Sequence, residues 1–205
     1  MGKVFVDMGV SLDGFVAGDN RGPANPMGGV SQRLHQWMFQ LKAFCDRLGI
    51  PGGQDGPGND IIDATFNRNG ANVMGRNMFD EGEACWPEEA PFGCPVYVLT
   101  DSPREPWTRP GGTTFFFVTE GFESAIAQAR AAAGDKDVRI SGGADVVRQA
   151  LKAGVVEELN LHIAPVILGS GLRLFDGIGP TDFDLELASV TDAAGVIHVT
   201  YVPRG

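Results

Sequence analysis

Short apolar runs alternate along this chain with stretches in which apolar residues recur at helical spacing. Residues 3–10 open it with a β-branched run that is typical of a strand. From Ser31, which is placed as an N-cap, apolar residues at positions 34, 37, 38, 41 and 44 predict one amphipathic helix. Residues 59–69 predict a second helix, with Gly70 at its C-cap. We therefore expect the first third of the chain to form a strand and two helices.

The remainder of the chain alternates strands and helices and ends in strands alone. We expect strands at 71–75, 94–100, 113–118, 137–141 and 157–168, and helices at 123–133 and 143–153, which end at Gly134 and Gly154. Strands at 183–190 and 195–202 flank a short turn, which predicts an antiparallel hairpin. This order predicts one α/β domain over residues 1–205, with a mostly parallel sheet and an antiparallel edge.

Composition and charge narrow the classes of partner. The chain has 205 residues and is 43% hydrophobic, enough for a sizeable core, and its formal net charge is −10. Such a charge argues against nucleic acid or an anionic membrane as a partner, although backbone N–H groups and one Arg can hold a small anion locally. We expect a cytoplasmic protein, because neither a signal peptide nor a run of about 18 apolar residues is present.

The cysteines and histidines show no metal-binding pattern. Cys45, Cys85 and Cys94 are widely spaced and form no CxxC pair, and the three His show no ligand spacing. We therefore expect reduced thiols and no metal.

The sequence Ser141-Gly142-Gly143-Ala144 follows an apolar strand and opens a helix. Paired glycines let a backbone approach a ligand closely, and a helix N-terminus presents free N–H groups to a pyrophosphate. The motif is neither the GxGxxG fingerprint nor a Walker A sequence. Taken alone, such a turn between a strand and a helix is more often a tight turn without a ligand.

Two more strand ends carry residues suited to a nucleotide. The strand 71–75 ends in Gly75 and is followed by Arg76, which is either a phosphate ligand or a solvated side chain. The strand 94–100 is followed by Asp101 and Ser102. Three such strand ends predict a nucleotide crevice at the edge of an open α/β sheet.

The segment Ser11-Leu12-Asp13-Gly14-Phe15-Val16-Ala17-Gly18 resembles the SLDGxIA signature of the dihydrofolate-reductase-like family. That family includes the C-terminal reductase domain of the bifunctional riboflavin deaminase-reductase. The segments 73–76, 141–144 and 165–171, the last followed by Leu174-Phe175, occur in the family's order, so the resemblance covers about residues 3–202. It implies a three-layer fold with helices on both faces of the sheet, NADPH as cofactor, a homodimer, and hydride transfer to a small heterocyclic, carbonyl or imine substrate.

The resemblance also implies a set of cofactor contacts. Val16 and Ala17 would lie by the nicotinamide, and Arg76 near the 2′-phosphate or the pyrophosphate. The remaining contacts would come from the other strand ends: Gly75, Asn77, Met78, Thr100, Asp101, Ser102, Ser141, Gly142, Gly143, Ala144, Asp145 and Val146. Because an acidic Asp101 conflicts with a neighbouring 2′-phosphate, the choice between NADPH and NADH stays open.

The substrate side departs from the dihydrofolate reductases. Those enzymes hold the pterin with a carboxylate on the first helix, but no Asp or Glu occurs here between Asp19 and Asp46. A Gln on that helix cannot replace an ionisable acid. This absence argues against efficient reduction of dihydrofolate. A genuine dihydrofolate reductase and a non-catalytic NADP(H)-binding protein remain as alternatives to a riboflavin-pathway-like reductase.

Several residues are candidates for the chemistry and for substrate contacts. His35 is either a proton donor or structural, and Asp13 is either an active-site group or a brace for its loop. Trp37 either packs in the core or stacks on a flat substrate. The turn Leu168-Gly169-Ser170 either borders the substrate pocket or only connects strands, and the glycine-rich segment 14–22 is a candidate lid. We interpret His162 and His198, at alternating strand positions, as structural.

Overall fold

The apolar runs form a central sheet in the computed structural model, which describes residues 2–179 and 184–204. The strands are β1 (Val4–Ser11), β2 (Phe15–Ala17), β3 (Asn69–Gly75), β4 (Pro95–Leu99), β5 (Trp107–Thr108), β6 (Thr114–Val118), β7 (Asp137–Gly142), β8 (Glu158–Ala164), β9 (Leu172–Arg173), β10 (Leu185–Ala193) and β11 (Val196–Pro203). Within the described ranges, nine of them form one sheet in the order β10-β11-β8-β1-β7-β3-β4-β6-β5, and β2 pairs with β9.

The sheet is parallel at its centre and antiparallel at its ends. Strand β1 runs parallel to both β7 and β8, and β3 runs parallel to both β7 and β4. Strand β11 is antiparallel to β8 and forms a hairpin with β10 through Ala194 and Gly195, which both have positive φ. The C-terminal hairpin is therefore confirmed, although Phe183, the first residue of the strand predicted at 183–190, lies outside the described residues.

Helices cover both faces of the sheet. They are α1 (Ser31–His35), α2 (Lys42–Leu48), α3 (Pro57–Arg68), α4 (Arg76–Glu83), α5 (Phe122–Ala133) and α6 (Ala144–Lys152). Because side chains alternate along a strand, Val73 packs in the cluster that contains α5 and α6, whereas Met74 packs with Phe79 of α4 on the other face. The expected three-layer α/β architecture is confirmed.

The single helix predicted from Ser31 is wrong, because the chain breaks it into α1, a 3-10 turn at Met38–Gln40, and α2. Leu41 between them is extended, with φ −101° and ψ 129°. The N–H of Lys42 donates to the carbonyl of Gln54 at 3.1 Å, and the N–H of Gln54 donates to the carbonyl of Gln40 at 2.9 Å. The loop around Gln54 therefore takes the backbone groups that a continuous helix would use.

The predicted C-cap at Gly70 is also wrong, because α3 ends at Arg68 and β3 begins at the next residue. A Cβ on Gly70 would lie 2.7 Å from Cβ of Lys136 and 2.9 Å from Cα of Ala133. Gly70 is therefore needed where β3 passes the end of α5.

Two other features differ from the sequence prediction: the end of one strand and the presence of one helix. The strand expected at 157–168 ends at Ala164, because Pro165 offers no N–H to continue the ladder. Helix α4 has no counterpart in the sequence prediction. Among the described residues, no helix combines the length and apolar character needed to cross a membrane.

Candidate active site

A cavity of about 360 Å³ opens at the carboxyl ends of β1 and β7. Its wall includes Gly9 of β1, the segment 141–144 at the end of β7, Val16 and Ala17 of β2, and Trp37. Ligands of open α/β sheets bind at this edge, and small-molecule pockets have volumes of about 300–1,000 Å³. The position and size of the cavity therefore suit a small organic ligand.

The turn after β7 can be built only with glycine at its first position. Gly142 has φ +128°, a conformation that residues with a side chain rarely adopt. A Cβ there would lie 3.0 Å from Sδ of Met78 and 3.3 Å from Sδ of Met8. Gly143 precedes α6, and among the described residues no side chain caps this N-terminus. The first N–H groups of α6 are therefore available to a ligand.

A second helix begins beside this turn. Gly75 precedes α4, whose N-terminus likewise receives no side-chain cap from the described part of the chain and has no acidic residue in its first turn. A Cβ on Gly75 would lie 3.2 Å from Cγ2 of Val146 and 3.6 Å from the backbone N of Gly143. The two helix N-termini therefore lie side by side and add their partial positive charges at one place.

Arg76 joins the ends of β3 and β4. Its Nε donates to Oδ1 of Asp80 at 2.6 Å, and its Nη1 lies 3.5 Å from Oγ1 of Thr100. The same hydroxyl accepts the N–H of Ser102 at 3.1 Å. Two close glycine turns, two uncapped helix N-termini and one Arg fit the phosphates of a dinucleotide.

Four neighbouring strands place one ionisable side chain each on the same face of the sheet. We call this set the polar row: Arg139 of β7, Asp7 of β1, His162 of β8 and His198 of β11. Nη2 of Arg139 donates to Oδ2 of Asp7 at 2.5 Å, and Nε2 of His162 lies 2.9 Å from Oδ1. The two His rings meet through their Nδ1 atoms at 2.7 Å. Arg139, Asp7 and His162 also line the cavity, so the row forms its polar floor.

Charge and burial set the protonation of Asp7. Burial alone would raise the pKa of its carboxyl, but the charges of Arg139 and His162 and their hydrogen bonds hold that pKa well below its usual range. Asp7 is therefore a carboxylate at neutral pH, with an ion-pair partner on one oxygen and an imidazole on the other.

Three buried donors at the cavity lack partners. Nε1 of Trp37, Nε of Arg139 and Oγ of Ser141 have no hydrogen-bond acceptor among the described residues. Buried polar groups are rarely left unpaired in folded proteins. These donors therefore suit a ligand that brings hydrogen-bond acceptors.

Comparison with known proteins places the chain in a family. The model of the RibD C-terminal domain matches residues 2–199. The chain belongs to this family. A relative in Bacillus subtilis (strain 168), the uncharacterized protein YwjB, is 26% identical over 130 residues, which are 63% of this chain and 71% of YwjB.

Solved structures share the dihydrofolate-reductase-like fold. A protein from Shewanella sp. PV-4, described as a riboflavin biosynthesis protein, is 21% identical with a TM-score of 0.67, covering 100% of both chains. Dihydrofolate reductase of Enterococcus faecalis, complexed with NADP(H), is 15% identical with a TM-score of 0.57, covering 100% of this chain and 98% of the other.

The bifunctional deaminase and 5-amino-6-(5-phosphoribosylamino)uracil reductase of Thermotoga maritima has the same fold. It is 14% identical with a TM-score of 0.59, covering 99% of this chain. The chain spans only 57% of that longer protein. At these identities the likeness establishes the fold.

Many of the residues that the sequence predicts at the site lie at the cavity. They are Val16, Ala17, His35, Trp37, Met78, Ser141, Gly142, Gly143 and Ala144. The others of the predicted cofactor set lie outside the wall, along the neighbouring strand ends and helix starts: Gly75, Arg76, Asn77, Thr100, Asp101, Ser102, Asp145 and Val146.

Asp13 lies outside the cavity wall and braces its loop. Its carboxylate accepts hydrogen bonds from Oγ of Ser11 at 2.6 Å and from the N–H groups of Leu168 at 3.1 Å and Gly169 at 2.8 Å. The hydrogen bond from Ser11, together with those from Gly169 and Leu168, lowers the pKa of Asp13 to about 2. In this geometry Asp13 braces its loop, and its catalytic role stays a prediction.

The turn at Leu168, Gly169 and Ser170 is held by the same loop. Leu168 and Gly169 donate to Asp13, and the hydroxyl of Ser170 donates to Asp19. None of the three lines the cavity within the described structure. In this geometry the turn has a bracing role, and its substrate contacts stay a prediction.

His35 lines the cavity as a neutral ring. Burial lowers its pKa to about 4, and its Nδ1 lies 3.3 Å from the carbonyl of Ser31. A Cβ on Gly9 would lie 2.8 Å from Nε2 of His35, so the glycine in β1 makes room for the ring. At neutral pH this His has no extra proton to give, which argues against its assignment as the proton donor.

The end of the predicted lid at 14–22 and the residues that follow it are tied to α4. Nε of Arg21 donates to Oε1 of Glu81 at 2.7 Å, and the N–H of Met27 donates to Oε2 at 2.7 Å. Glu81 is buried, and all three residues line the cavity. These two hydrogen bonds to Glu81 hold the segment 21–27 over the cavity.

Sequence reasoning missed the polar row. Asp7 and Arg139 were not singled out, and His162 and His198 were interpreted as structural. A signal was available, since each is an ionisable residue within an otherwise largely apolar strand.

Proposed function

We propose that this member of the RibD C-terminal domain family is a reductase that transfers a hydride from NADPH to a small, flat substrate. The observation that carries the proposal is the pair of uncapped helix N-termini at Gly75 and Gly143, beside a cavity of about 360 Å³. The reduced nicotinamide supplies the hydride when it is bound. The protein binds the phosphates, orients the reactants and excludes water from the cavity.

Arg76 supports NADPH over NADH. It lies at the carboxyl ends of β3 and β4, beside Thr100 and Ser102. Its guanidinium matches the geometry of a phosphate. The Enterococcus enzyme of the same fold is described in complex with NADP(H). Asp101 is exposed, so solvent screens its carboxylate from a 2′-phosphate.

The cavity supports a flat substrate that carries oxo groups. Trp37, Phe66 and Met8 contribute apolar surface to the cavity wall. The donors of Arg139 and Ser141 have no acceptor among the described residues and can bind the oxo groups of a ligand. A pyrimidine with carbonyl groups, as in the named reaction of the Thermotoga reductase, meets both requirements.

Folate meets these requirements less well. Helix α1 carries no carboxylate, and both oxygens of Asp7 already have partners in Arg139 and His162. An additional bond from a pterin would have to share an occupied oxygen. We therefore expect dihydrofolate to be a poor substrate.

Cofactor binding and turnover test the proposal separately. We expect NADPH to quench the fluorescence of the protein at lower concentration than NADH does. We then expect NADPH oxidation with 5-amino-6-(5-phosphoribosylamino)uracil, and little with dihydrofolate, in a panel that also contains small imines and carbonyls.

Each alternative has its own outcome. Turnover of dihydrofolate at the usual enzyme rate of about 1–10³ per second would identify a genuine dihydrofolate reductase. Binding of NADPH without turnover of any panel compound would favour a non-catalytic binding protein. No binding of either dinucleotide would reject the proposal.

We also propose that the protein forms a homodimer through the outer strand β10. Leu187 and Val190 on this edge are 56% and 54% exposed. Exposed apolar edges favour pairing with another chain. Sedimentation should give a dimer that Val190→Lys converts to a monomer, and a monomeric wild type would reject this assignment.

A further inference from the structure

His35 presents one ring nitrogen to the cavity of about 360 Å³, which we call the main cavity. A Cβ built on Gly9 would lie 2.8 Å from Nε2 of His35. Because side chains alternate along a strand, that Cβ would project from the same face of β1 as Asp7, the face that forms the cavity floor. His162 is the neighbour of Gly9 in β8 and also lines the cavity. Nε2 of His35 therefore borders the space directly above the floor.

The other ring nitrogen of His35 fixes the tautomer. Nδ1 lies 3.3 Å from the carbonyl of Ser31, one turn earlier in α1, and a carbonyl can only accept a hydrogen bond. Nδ1 therefore carries a hydrogen. Burial lowers the pKa of His35 to about 4, so the ring is neutral at pH 7 and holds no second hydrogen. Nε2 is left with a lone pair, which receives no hydrogen bond from the described part of the chain.

Other polar side chains of the cavity are engaged carboxylates and free donors. Asp7 and Glu81 have partners at both oxygens. Nε1 of Trp37 and Nε of Arg139 are donors without an acceptor among the described residues. A ligand that carried only C=O groups would satisfy these donors and leave the lone pair of His35 unpaired. A ligand with both C=O and N–H groups would match the donors and the acceptor together.

We propose that Nε2 of His35 accepts a hydrogen bond from an N–H group of the substrate and makes the site selective for flat rings that carry N–H beside C=O. The substrate class, which rests on the proposed reductase function, is then the cyclic amides, imides and ureas. Simple ketones, aldehydes and fully N-alkylated rings have no N–H to donate. A site built to bind a substrate N–H rejects such analogues, because its own polar group is left unpaired.

Nuclear magnetic resonance of ¹⁵N-histidine-labelled protein tests the tautomer without cofactor or substrate. At pH 7 we expect the ring of His35 to carry a hydrogen on Nδ1 and none on Nε2. The signals of this ring are assigned by their loss in His35→Gln. A ring that is protonated at Nε2 would overturn the proposal, because that nitrogen could no longer accept a hydrogen bond.

A matched pair of ligands tests which group Nε2 binds. Uracil carries ring N–H beside its C=O groups, whereas 1,3-dimethyluracil keeps the C=O groups and has no N–H. We expect the wild type, without cofactor, to bind uracil about tenfold or more tightly, the scale of one buried polar group left unpaired. The Nε2 resonance of His35 should shift with uracil alone. Equal affinity for the two ligands, or binding of neither, would contradict the proposal.

Variants of His35 separate the hydrogen bond from the bulk of the methyl groups. His35→Phe keeps a flat ring without an acceptor, so it should bind uracil about tenfold more weakly and lose the preference for it. His35→Gln retains an acceptor oxygen and should recover part of the preference. Gln36→Ala, at the exposed next residue, is the control and should bind both ligands as the wild type does. A preference that persists in His35→Phe would come from a methyl clash elsewhere in the cavity and would reject the role of His35.

The outcomes for His35 and for the reductase are distinguishable. The tautomer and the binding of uracil are measured without turnover. A protein that selects uracil through His35 but oxidises NADPH with no panel compound would keep the acceptor role and lose the reductase function. Turnover of simple ketones as fast as of the uracil substrate would keep the reductase function and reject the selectivity.

Discussion

Backbone groups form one end of the main cavity, and side chains form the other. At the strand ends beside Gly75 and Gly142, backbone N–H groups and the absence of side chains create the space for a ligand. At the floor, the side chains of Asp7, Arg139 and His162 supply charge and hydrogen-bonding groups. A backbone-built surface leaves a short motif in the sequence, because only glycine fits. A floor built from side chains on several strands leaves residues that are far apart in the chain.

Substitutions at the floor should lower the free energy of unfolding more than substitutions at the backbone-built end. Asp7→Asn removes the negative charge between Arg139 and His162, both of which are largely buried. Breaking a buried pair by removing one partner costs about 3–5 kcal/mol, because the other charge stays uncompensated. We expect that loss in the free energy of unfolding, measured by urea denaturation at pH 7.

The matched control is a carboxylate in an exposed pair. Asp46 pairs with Lys42 on the surface of α2. Exposed pairs contribute little to stability, so Asp46→Asn should leave the unfolding curve unchanged. Equal losses in Asp7→Asn and Asp46→Asn would contradict a special role for the buried pair.

Gly142→Ala tests the backbone-built end. The φ of +128° and the 3.0 Å approach to Sδ of Met78 leave no room for a Cβ. We expect a loss of about 2–3 kcal/mol of stability and a failure to bind NADPH, from backbone strain and displacement of the turn. Gly22→Ala is the control, since a Cβ there meets nothing within 4 Å among the described residues. Undisturbed binding in Gly142→Ala would show that the turn does not carry the cofactor.

The two ends also differ in what the sequence could reveal. The motif at Gly142-Gly143 and the strand ends at Gly75 and Thr100 were found because strand, glycine and helix follow one another locally. The polar row was missed because its geometry depends on register between strands more than 130 residues apart, as in the bond from Arg139 to Asp7. The continuous helix from Ser31 failed for a related reason. Its amphipathic spacing contains no information about the backbone bonds that Gln54 makes with Gln40 and Lys42.

His35, between the two ends, gives the floor a pH dependence. Its folded pKa of about 4 lies below the ordinary value of 6.5, so the unfolded chain takes up a proton first as the pH falls. Stability from this ring is complete above about pH 6.5 and is lost as the pH falls towards 4. We expect a loss of about 2 kcal/mol, less than the full pKa difference because the ring keeps some exposure. Urea denaturation at pH 7 and pH 4.5 measures it.

His35→Gln provides the reference for this pH effect, since acidic groups also titrate near the lower end of the range. The variant should lose less stability than the wild type between the two pH values. Equal slopes in the two proteins would show that His35 titrates normally in the folded state.

The last expected effect is on ligand binding alone, and it separates the two cofactors at the backbone-built end. Arg76 is one side chain among many backbone donors, so Arg76→Gln should leave the fold and the binding of NADH intact. One charge-assisted bond to a phosphate is worth about 1.5–3 kcal/mol, which corresponds to at least a tenfold rise in the dissociation constant of NADPH. Isothermal titration with both dinucleotides measures the difference. Equal weakening of NADPH and NADH would place Arg76 at the pyrophosphate, which both cofactors share, and would leave the preference between them to another residue. A selective loss of NADPH would place Arg76 at the 2′-phosphate, and its guanidinium would then decide the specificity between the two cofactors.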